Sequence, residues 1–233
     1  MAVRQSLVLV PGLLCTAALW APQMAALADI ADMTVPDHTR HDSMAAIAGS
    51  ILEAAPERFA LAGLSMGGYI AFEIVRRAPE RVMRLALLDT GARPDTPERK
   101  ELRLRRNELA RREGAGAVQD ELMPALIHKD RLADKALTGM IRQMAVDTGA
   151  EAMARQHAAI MGRPDNRPLL PRIECPTLVV VGREDALTPI ELAQEMVAGI
   201  PGARLEIIPD CGHLSTLERP EAVNRVLRVW LTP

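Results

Sequence analysis

Short, almost unbroken apolar runs alternate with longer amphipathic segments at both ends of the chain. The runs that predict strands cover residues 6–10, 59–62, 82–88, 177–181 and 204–208, with a weaker sixth at Thr34-Val35-Pro36. The segments that predict helices cover residues 43–54, 66–78, 189–199 and 220–231. Apolar runs of this length, separated by helices, are typical of a parallel sheet that is covered on both faces. We therefore expect an α/β fold with a mostly parallel central sheet of about six strands.

The middle of the chain has a different pattern. From residue 91 to residue 170 the strand signals disappear and apolar positions recur at helical spacing. Examples are Leu132, Ala136, Leu137, Met140, Ile141 and Met144. This spacing predicts a helical insertion over 91–170, between the two parts, 1–90 and 171–233, of one α/β core. A chain of 233 residues is long enough for one such domain and too short for two ordinary ones.

A glycine-rich run, Gly63-Leu64-Ser65-Met66-Gly67-Gly68, joins the third predicted strand to the helix that follows it. A strand that turns sharply into a helix brings the two backbones too close for a β-carbon on either side of the turn. Glycines on both sides of Ser65 therefore predict a nucleophile elbow, which would hold the serine exposed in a strained conformation. The alternative is a glycine-rich loop that contains a serine without a catalytic role.

A serine hydroxyl becomes a strong nucleophile only when a base takes its proton and a carboxylate orients that base. Asp185 follows the predicted strand at 177–181, and His213 follows the next strand along the chain. Because the carboxyl ends of parallel strands meet at one edge of a sheet, we expect both side chains near Ser65. Asp89 and Asp210 are the alternatives to Asp185, since each also follows a predicted strand.

The order Ser65, Asp185, His213 and the elbow motif resemble the α/β-hydrolase family over nearly the whole chain outside the helical insertion. The resemblance implies Ser65 as nucleophile, His213 as general base and then general acid, and Asp185 as the orienting carboxylate. It also implies an oxyanion hole made of the backbone N–H groups of Leu13 and Met66. Family members often carry His-Gly where this chain has Pro11-Gly12. The chemistry there needs only a backbone amide, so this departure changes little.

The resemblance further implies hydrolysis of a carboxylic ester, or of a related lactone or thioester, through an acyl-enzyme. It requires neither a metal nor an organic cofactor. The same triad serves carbon–carbon bond hydrolases and acyltransferases, and some family receptors keep it while binding a ligand with negligible turnover. The sequence does not distinguish between these hypotheses.

Five residues are candidates for substrate contact because they lie next to the expected site or on apolar faces of the insertion. They are Leu14, Met140, Met144, His157 and Leu214. For the methionines and His157, packing in the core is the alternative. The basic run from Arg99 to Arg112 predicts a solvated helix with Leu102 and Leu109 facing inward; its alternative role is attraction of an anionic substrate. His38 and His41 are expected either at the pocket edge or on the surface.

Composition adds exclusions to this picture. A net charge of −2 and a pI near 6.2 argue against a nucleic-acid partner, which usually requires a basic surface. Cys15, Cys175 and Cys211 are odd in number and widely spaced, which favours a reducing cytoplasm and gives no zinc motif. No apolar stretch approaches the ~20 residues of a membrane span. We expect a small apolar or acyl substrate, and the sequence leaves the oligomeric state open.

Overall fold

The computed structural model describes residues 4–232, and its framework is a six-stranded, fully parallel sheet with the order β2-β1-β3-β4-β5-β6. The strands are β1 (Gln5–Val10), β2 (Ala31–Thr34), β3 (Phe59–Leu64), β4 (Val82–Leu88), β5 (Thr177–Gly182) and β6 (Arg204–Ile208). The helices are α1 (Ala21–Leu27), α2 (Met44–Ala54), α3 (Met66–Arg77), α4 (Pro97–Glu113), α5 (Ala115–Leu126), α6 (Lys135–Met161), α7 (Ile190–Gly199), α8 (Ser215–Glu218) and α9 (Pro220–Leu231). The predicted α/β fold with about six strands is confirmed.

The two faces of the sheet bury separate apolar cores because successive side chains of a strand point to opposite faces. In β1, Leu7 and Leu9 belong to the core that includes residues of α1, α5, α6 and α9. Val8 and Val10 belong to the other core, which includes residues of α2, α3 and α7. This arrangement explains why the central strands are apolar throughout: β3 and β5 are buried along their whole length.

The second strand is displaced from its predicted position. It spans Ala31–Thr34 and pairs with β1 from Gln5↔Ala31 to Val8↔Thr34, so the prediction at residues 34–36 is wrong by about three residues. The strand lies at the edge of the sheet and only Ala31 is fully buried, so it lacks the apolar run that marks the inner strands. Pro36 lies beyond its end, where no ladder hydrogen bond is needed from it.

The strands stop at Leu88 and resume at Thr177, with α4, α5 and α6 between them. Helix α6 is long but interrupted: Gly149 has non-helical angles (φ 79°, ψ 163°), so the segment is two helices joined at a kink. The direction of strand addition reverses between β1 and β3, because β2 lies on one side of β1 and β3 lies on the other. In parallel α/β sheets a crevice opens at the carboxyl ends of such strands.

Candidate active site

Ser65 stands at the junction of β3 and α3 in a conformation that few residues adopt. Its backbone angles are φ 55° and ψ −113°, a strained region for a residue with a side chain. The turn is held by hydrogen bonds from the Ser65 N–H to the Leu88 carbonyl (2.9 Å) and from the Thr90 hydroxyl to the Ser65 carbonyl (2.8 Å). A β-carbon on Gly63 would collide with the Gly67 backbone, and one on Gly67 would collide with the Val10 carbonyl. The glycines therefore permit the close approach that aims Ser65 out of the sheet edge.

Ser65, His213 and Asp185 form one continuous hydrogen-bonded chain. The imidazole Nε2 of His213 lies 2.8 Å from the Ser65 Oγ, and its Nδ1 lies 2.8 Å from the Asp185 Oδ2. Neither alternative carboxylate takes this place: Asp210 pairs with Arg219 at the surface, and Asp89 is hydrogen-bonded elsewhere. The structure thus brings together the three residues that the chain order singled out.

The turn after β5 fixes the orientation of Asp185. Its Oδ1 accepts the backbone N–H groups of Leu187 and Thr188, both at 2.9 Å. Its Oδ2 accepts the Thr188 hydroxyl at 2.6 Å and faces His213. The carboxylate therefore has a distinct partner set on each oxygen, and only one oxygen is turned toward the imidazole.

The proposed oxyanion donors, Leu13 and Met66, lie on the loop after β1 and at the first turn of α3. Within residues 4–232 neither backbone N–H donates to a protein acceptor, which leaves both available to a ligand. Gln156 holds this loop by accepting the Leu14 N–H at 3.2 Å. The buried His38 contacts the Gly12 carbonyl and Gln156, each at 3.0 Å, so it braces the loop and lies neither on the surface nor at the pocket edge.

A cavity opens over Ser65 and His213, between the sheet edge and the helices that follow β4. One wall is apolar and includes Leu13, Leu122, Leu126 and Leu214. The lining also contains Arg99, Leu102, Arg103 and Arg106 of α4, which we call the cationic wall, and Gln119 of α5, on the same helix face as Leu122 and Leu126. The Ser65 hydroxyl thus faces a cleft whose lining contains both apolar and cationic side chains.

Comparison with known proteins identifies the group to which this arrangement belongs. Residues 7–226 match the alpha/beta hydrolase family. The chain belongs to this family. A thermophilic esterase from Thermogutta terrifontis, solved with malate bound, is 35% identical, with a TM-score of 0.89 over 97% of this chain and 89% of its own. An enol-lactonase from Burkholderia xenovorans is 29% identical, with a TM-score of 0.88 over 100% of this chain and 93% of its own.

Among curated relatives of this alpha/beta hydrolase is a 2-hydroxy-6-oxononadienedioate/2-hydroxy-6-oxononatrienedioate hydrolase from Escherichia coli. The two sequences are 28% identical over 86% of this chain and 72% of the relative.

Within this hydrogen-bonded chain, His213 and Asp185 shift each other's pKa. Burial acts to lower the pKa of His213, but the neighbouring Asp185 carboxylate outweighs it and raises that pKa above its ordinary value. Burial acts to raise the pKa of Asp185, but the charge and hydrogen bond of His213 hold it below its ordinary value. The pair therefore favours an Asp185 carboxylate next to a protonated imidazole.

A second buried carboxyl group, Asp89, joins the ends of β4 and β5 to the first residue of α8 behind the triad. It accepts the Gly182 N–H at 2.9 Å and contacts the Ser215 hydroxyl at 2.5 Å. Burial, together with the negative charge of Asp185, raises the pKa of Asp89 to about 8. Its hydrogen bonds to Gly182 and Ser215 brace the loops after β5 and β6, and it makes none with His213.

Glu218 braces the loop that carries His213. It is 1% exposed and its Oε1 accepts the N–H groups of Gly212 (3.0 Å) and Leu214 (3.3 Å). Its Oε2 accepts the His128 N–H at 2.7 Å, which ties the loop to the end of α5. Thr188 and Glu218 were not among the residues singled out from the sequence, and Asp89 was considered there only as an alternative to Asp185. For Thr188 a signal existed, since a threonine three residues after an aspartate can close a local turn.

The predicted substrate contacts are separated by the structure. Leu214 lines the cavity, whereas the other four do not lie among its lining residues. Met140 is 46% exposed on the outer side of α6, and Met144 and Leu14 are buried in the apolar core. His157 is buried, with its Nδ1 2.7 Å from the Asn107 Oδ1, and serves helix packing. Helical spacing had identified inward faces correctly for Met144 and His157, but those faces meet neighbouring helices instead of the cavity.

Across residues 4–232, no group of three or more histidine, cysteine, aspartate or glutamate side chains is arranged to hold a metal ion. No helix in the same range has the length and apolar character needed to cross a bilayer.

Proposed function

We propose that the protein is a serine hydrolase that cleaves a carboxylic ester, or a related lactone or thioester, through a covalent acyl-enzyme. The observation that carries this proposal is the hydrogen-bonded chain from the Ser65 Oγ through His213 to Asp185, with 2.8 Å at each link. Its esterase and enol-lactonase structural relatives are hydrolases of acyl compounds by name, which supports the same reading.

The geometry gives each residue a role in two half-reactions. In the first, His213 Nε2 accepts the Ser65 proton as Oγ attacks the carbonyl carbon, and the resulting oxyanion is bound by the N–H groups of Leu13 and Met66. Collapse breaks the bond to the leaving group, which takes its proton from His213. In the second, His213 removes a proton from water, which attacks the acyl-enzyme and releases the acid and Ser65. Asp185 keeps the Nδ1 proton in place throughout, so that Nε2 stays free to accept.

We assign the helical insertion, 91–170, as the cap of the core formed by 1–90 and 171–233. In support, α4 and α5 supply the cationic wall of the cavity and part of its apolar wall. A small acyl substrate with no nucleic-acid partner, and a cytoplasmic location, belong to the same proposal and rest on composition.

Covalent labelling tests the proposal directly. Intact mass is measured after treatment with a fluorophosphonate, comparing the wild-type protein with Ser65→Ala and with the matched control Ser50→Ala, on helix α2. We expect one adduct on the wild type and on Ser50→Ala and none on Ser65→Ala. Equal labelling of Ser65→Ala, or no labelling of the wild type, would contradict an activated Ser65.

Carbon–carbon bond hydrolysis is the second candidate, because of one specific relative. The Escherichia coli relative acts, by its name, on 2-hydroxy-6-oxononadienedioate, a keto acid that contains no ester linkage. Product analysis separates the two activities: an esterase releases an alcohol and an acid, whereas a carbon–carbon hydrolase splits a keto acid into two fragments. Ligand-induced stabilisation with neither product would instead favour a binding protein.

A further inference from the structure

The cationic wall of the cavity is one face of helix α4. Arg99, Leu102, Arg103 and Arg106 follow one another at spacings of three, one and three residues, which places them on the same side of the helix. All four line the cavity that holds Ser65 and His213. The side chains of Arg103 and Arg106 are only 16% and 17% exposed, so these guanidinium groups are largely withdrawn from solvent.

The carboxylates around this wall neutralise only part of its charge. Asp95 is shared between Arg103 (2.7 Å) and Arg163 (3.0 Å), and Glu121 lies 2.9 Å from Arg106. Arg99 has no carboxylate partner within residues 4–232; its one side-chain hydrogen bond is to the Leu187 carbonyl, at 3.4 Å. Four guanidinium groups therefore meet two carboxylates.

The excess positive charge of these arginines also affects the nearby His157. Burial first, and then the positive charges of Arg103 and Arg106, lower the pKa of His157 to about 3. The charges of Arg103 and Arg106 therefore act on a buried side chain of α6.

Free donors remain on the wall after the protein's own contacts are made. Arg103 uses its Nε and Nη2 on Asp95, and Arg106 uses its Nε and Nη2 on Glu121. The Nη1 groups of both have no acceptor within the described chain. Guanidinium groups with unused donors in a desolvated site match a planar carboxylate better than any neutral group.

Gln119 gives the second, independent indication of a polar ligand. It lines the same cavity from α5 and is only 2% exposed, yet its side-chain amide makes no hydrogen bond with any residue in the range 4–232. An amide that borders the cavity and has no partner in the described chain is free to bind a polar group of a ligand there. An amide N–H group can complete the coordination of a carboxylate that the arginines bind.

We propose that the acyl substrate carries a carboxylate remote from its scissile carbonyl, bound by Arg103, Arg106 and Gln119, with Arg99 attracting it at the mouth of the cavity. The substrate class is then a monoanionic ester or lactone, such as a half-ester of a dicarboxylic acid. Its carbon chain would lie along the apolar wall at Leu122 and Leu126. This inference rests on the proposed function and names the substrate class for the same site.

The test compares two esters that differ only at the remote end: methyl hydrogen glutarate, which ends in a carboxylate, and methyl pentanoate, which ends in a methyl group. Methanol release gives kcat/KM for the wild type, Arg106→Gln, Gln119→Leu and the control Arg105→Gln. Arg105 is the neighbour of Arg106 on α4, is 67% exposed and does not line the cavity.

We expect the wild type and Arg105→Gln to prefer the half-ester by about tenfold to a hundredfold, the range for a hydrogen bond to a charged group. Arg106→Gln and Gln119→Leu should each lose most of that preference, which is measured as the ratio of kcat/KM for the two esters. Gln119→Leu keeps the side-chain size and removes a buried polar group, so it tests the site without threatening the fold. Equal kcat/KM for the two esters in the wild type would overturn the inference.

Failure of the inference can be told apart from failure of the proposed function. If fluorophosphonate labels Ser65 but neither ester is hydrolysed, calorimetric binding of both esters to Ser65→Ala decides. Tighter binding of methyl hydrogen glutarate, lost in a double variant with Arg106→Gln, supports the carboxylate site, and equal binding overturns it. If Ser65 is not labelled at all, the proposed function fails, while the same binding measurement still judges the carboxylate site.

Discussion

The hydrogen bonds of Asp185 predict how an asparagine at this position would orient and what it would do to His213. The Asp185 Oδ1 accepts two backbone N–H groups at 2.9 Å, from Leu187 and Thr188. An asparagine NH₂ in that place would face two donors, at a cost of about 1–3 kcal/mol for each buried group left unpaired. The amide oxygen therefore stays at the Oδ1 position, and the NH₂ takes the Oδ2 position, 2.8 Å from the Nδ1 of His213.

This orientation inverts the tautomer of His213. An NH₂ donor opposite Nδ1 requires Nδ1 to accept, so the ring proton moves to Nε2, which then points at Ser65 and cannot take its proton. We expect kcat to fall about 10⁴-fold, as for the wrong tautomer in a serine triad. That loss corresponds to about 5 kcal/mol in the activation free energy. The fold should survive, because the backbone contacts of the side chain are kept.

The assay is kcat on an ester substrate together with the rate of fluorophosphonate labelling of Ser65, both for Asp185→Asn. Asp210→Asn is the control, since Asp210 follows the next strand but its side chain is 72% exposed. A kcat for Asp185→Asn within tenfold of the wild type, in a protein that melts normally, would refute the role assigned to Asp185.

Three further predictions concern pH and packing. The raised pKa of His213 predicts that kcat/KM falls as the pH is lowered through a midpoint above about 6.5, because an imidazolium cannot accept the serine proton; a flat profile would count against this residue as base. Gly67→Ala should lower the free energy of unfolding by at least about 3 kcal/mol, because the new β-carbon meets the backbone of β1. Gly139→Ala, with open space around it, should raise that free energy by about 0.5–1 kcal/mol. Denaturant unfolding of both variants checks the contrast. Glu218→Gln should lose about 1–3 kcal/mol by calorimetry, because its NH₂ must face one of the backbone N–H groups that the carboxylate now accepts; an unchanged melting temperature would contradict this.

The lining of the cavity could not be predicted from the sequence alone. Apolar spacing in α6 identified Met144 as an inward residue, but an inward face can meet either a cavity or another helix, and periodicity is the same in both cases. The basic run at Arg99–Arg112 had two interpretations for a similar reason. Only the packing of α4 against α5 and α6 places Arg103 and Arg106 in the cavity and leaves Arg105, between them in sequence, at the surface.

By itself, the sequence determined the local chemistry around Ser65 and the positions of most strands along the chain. The apolar runs predicted five of the six strands. Gly63 marked the sharp turn because its backbone approaches that of Gly67, a near neighbour in the chain, whereas Gly67 approaches Val10 of β1. Parallel strands share one carboxyl edge, so the positions of Asp185 and His213 also followed. The edge strand β2, the bracing by Glu218 and Asp89, and the cationic wall depended on contacts between residues far apart in the chain. Those contacts are set by how whole elements pack, and no short-range pattern encodes that packing.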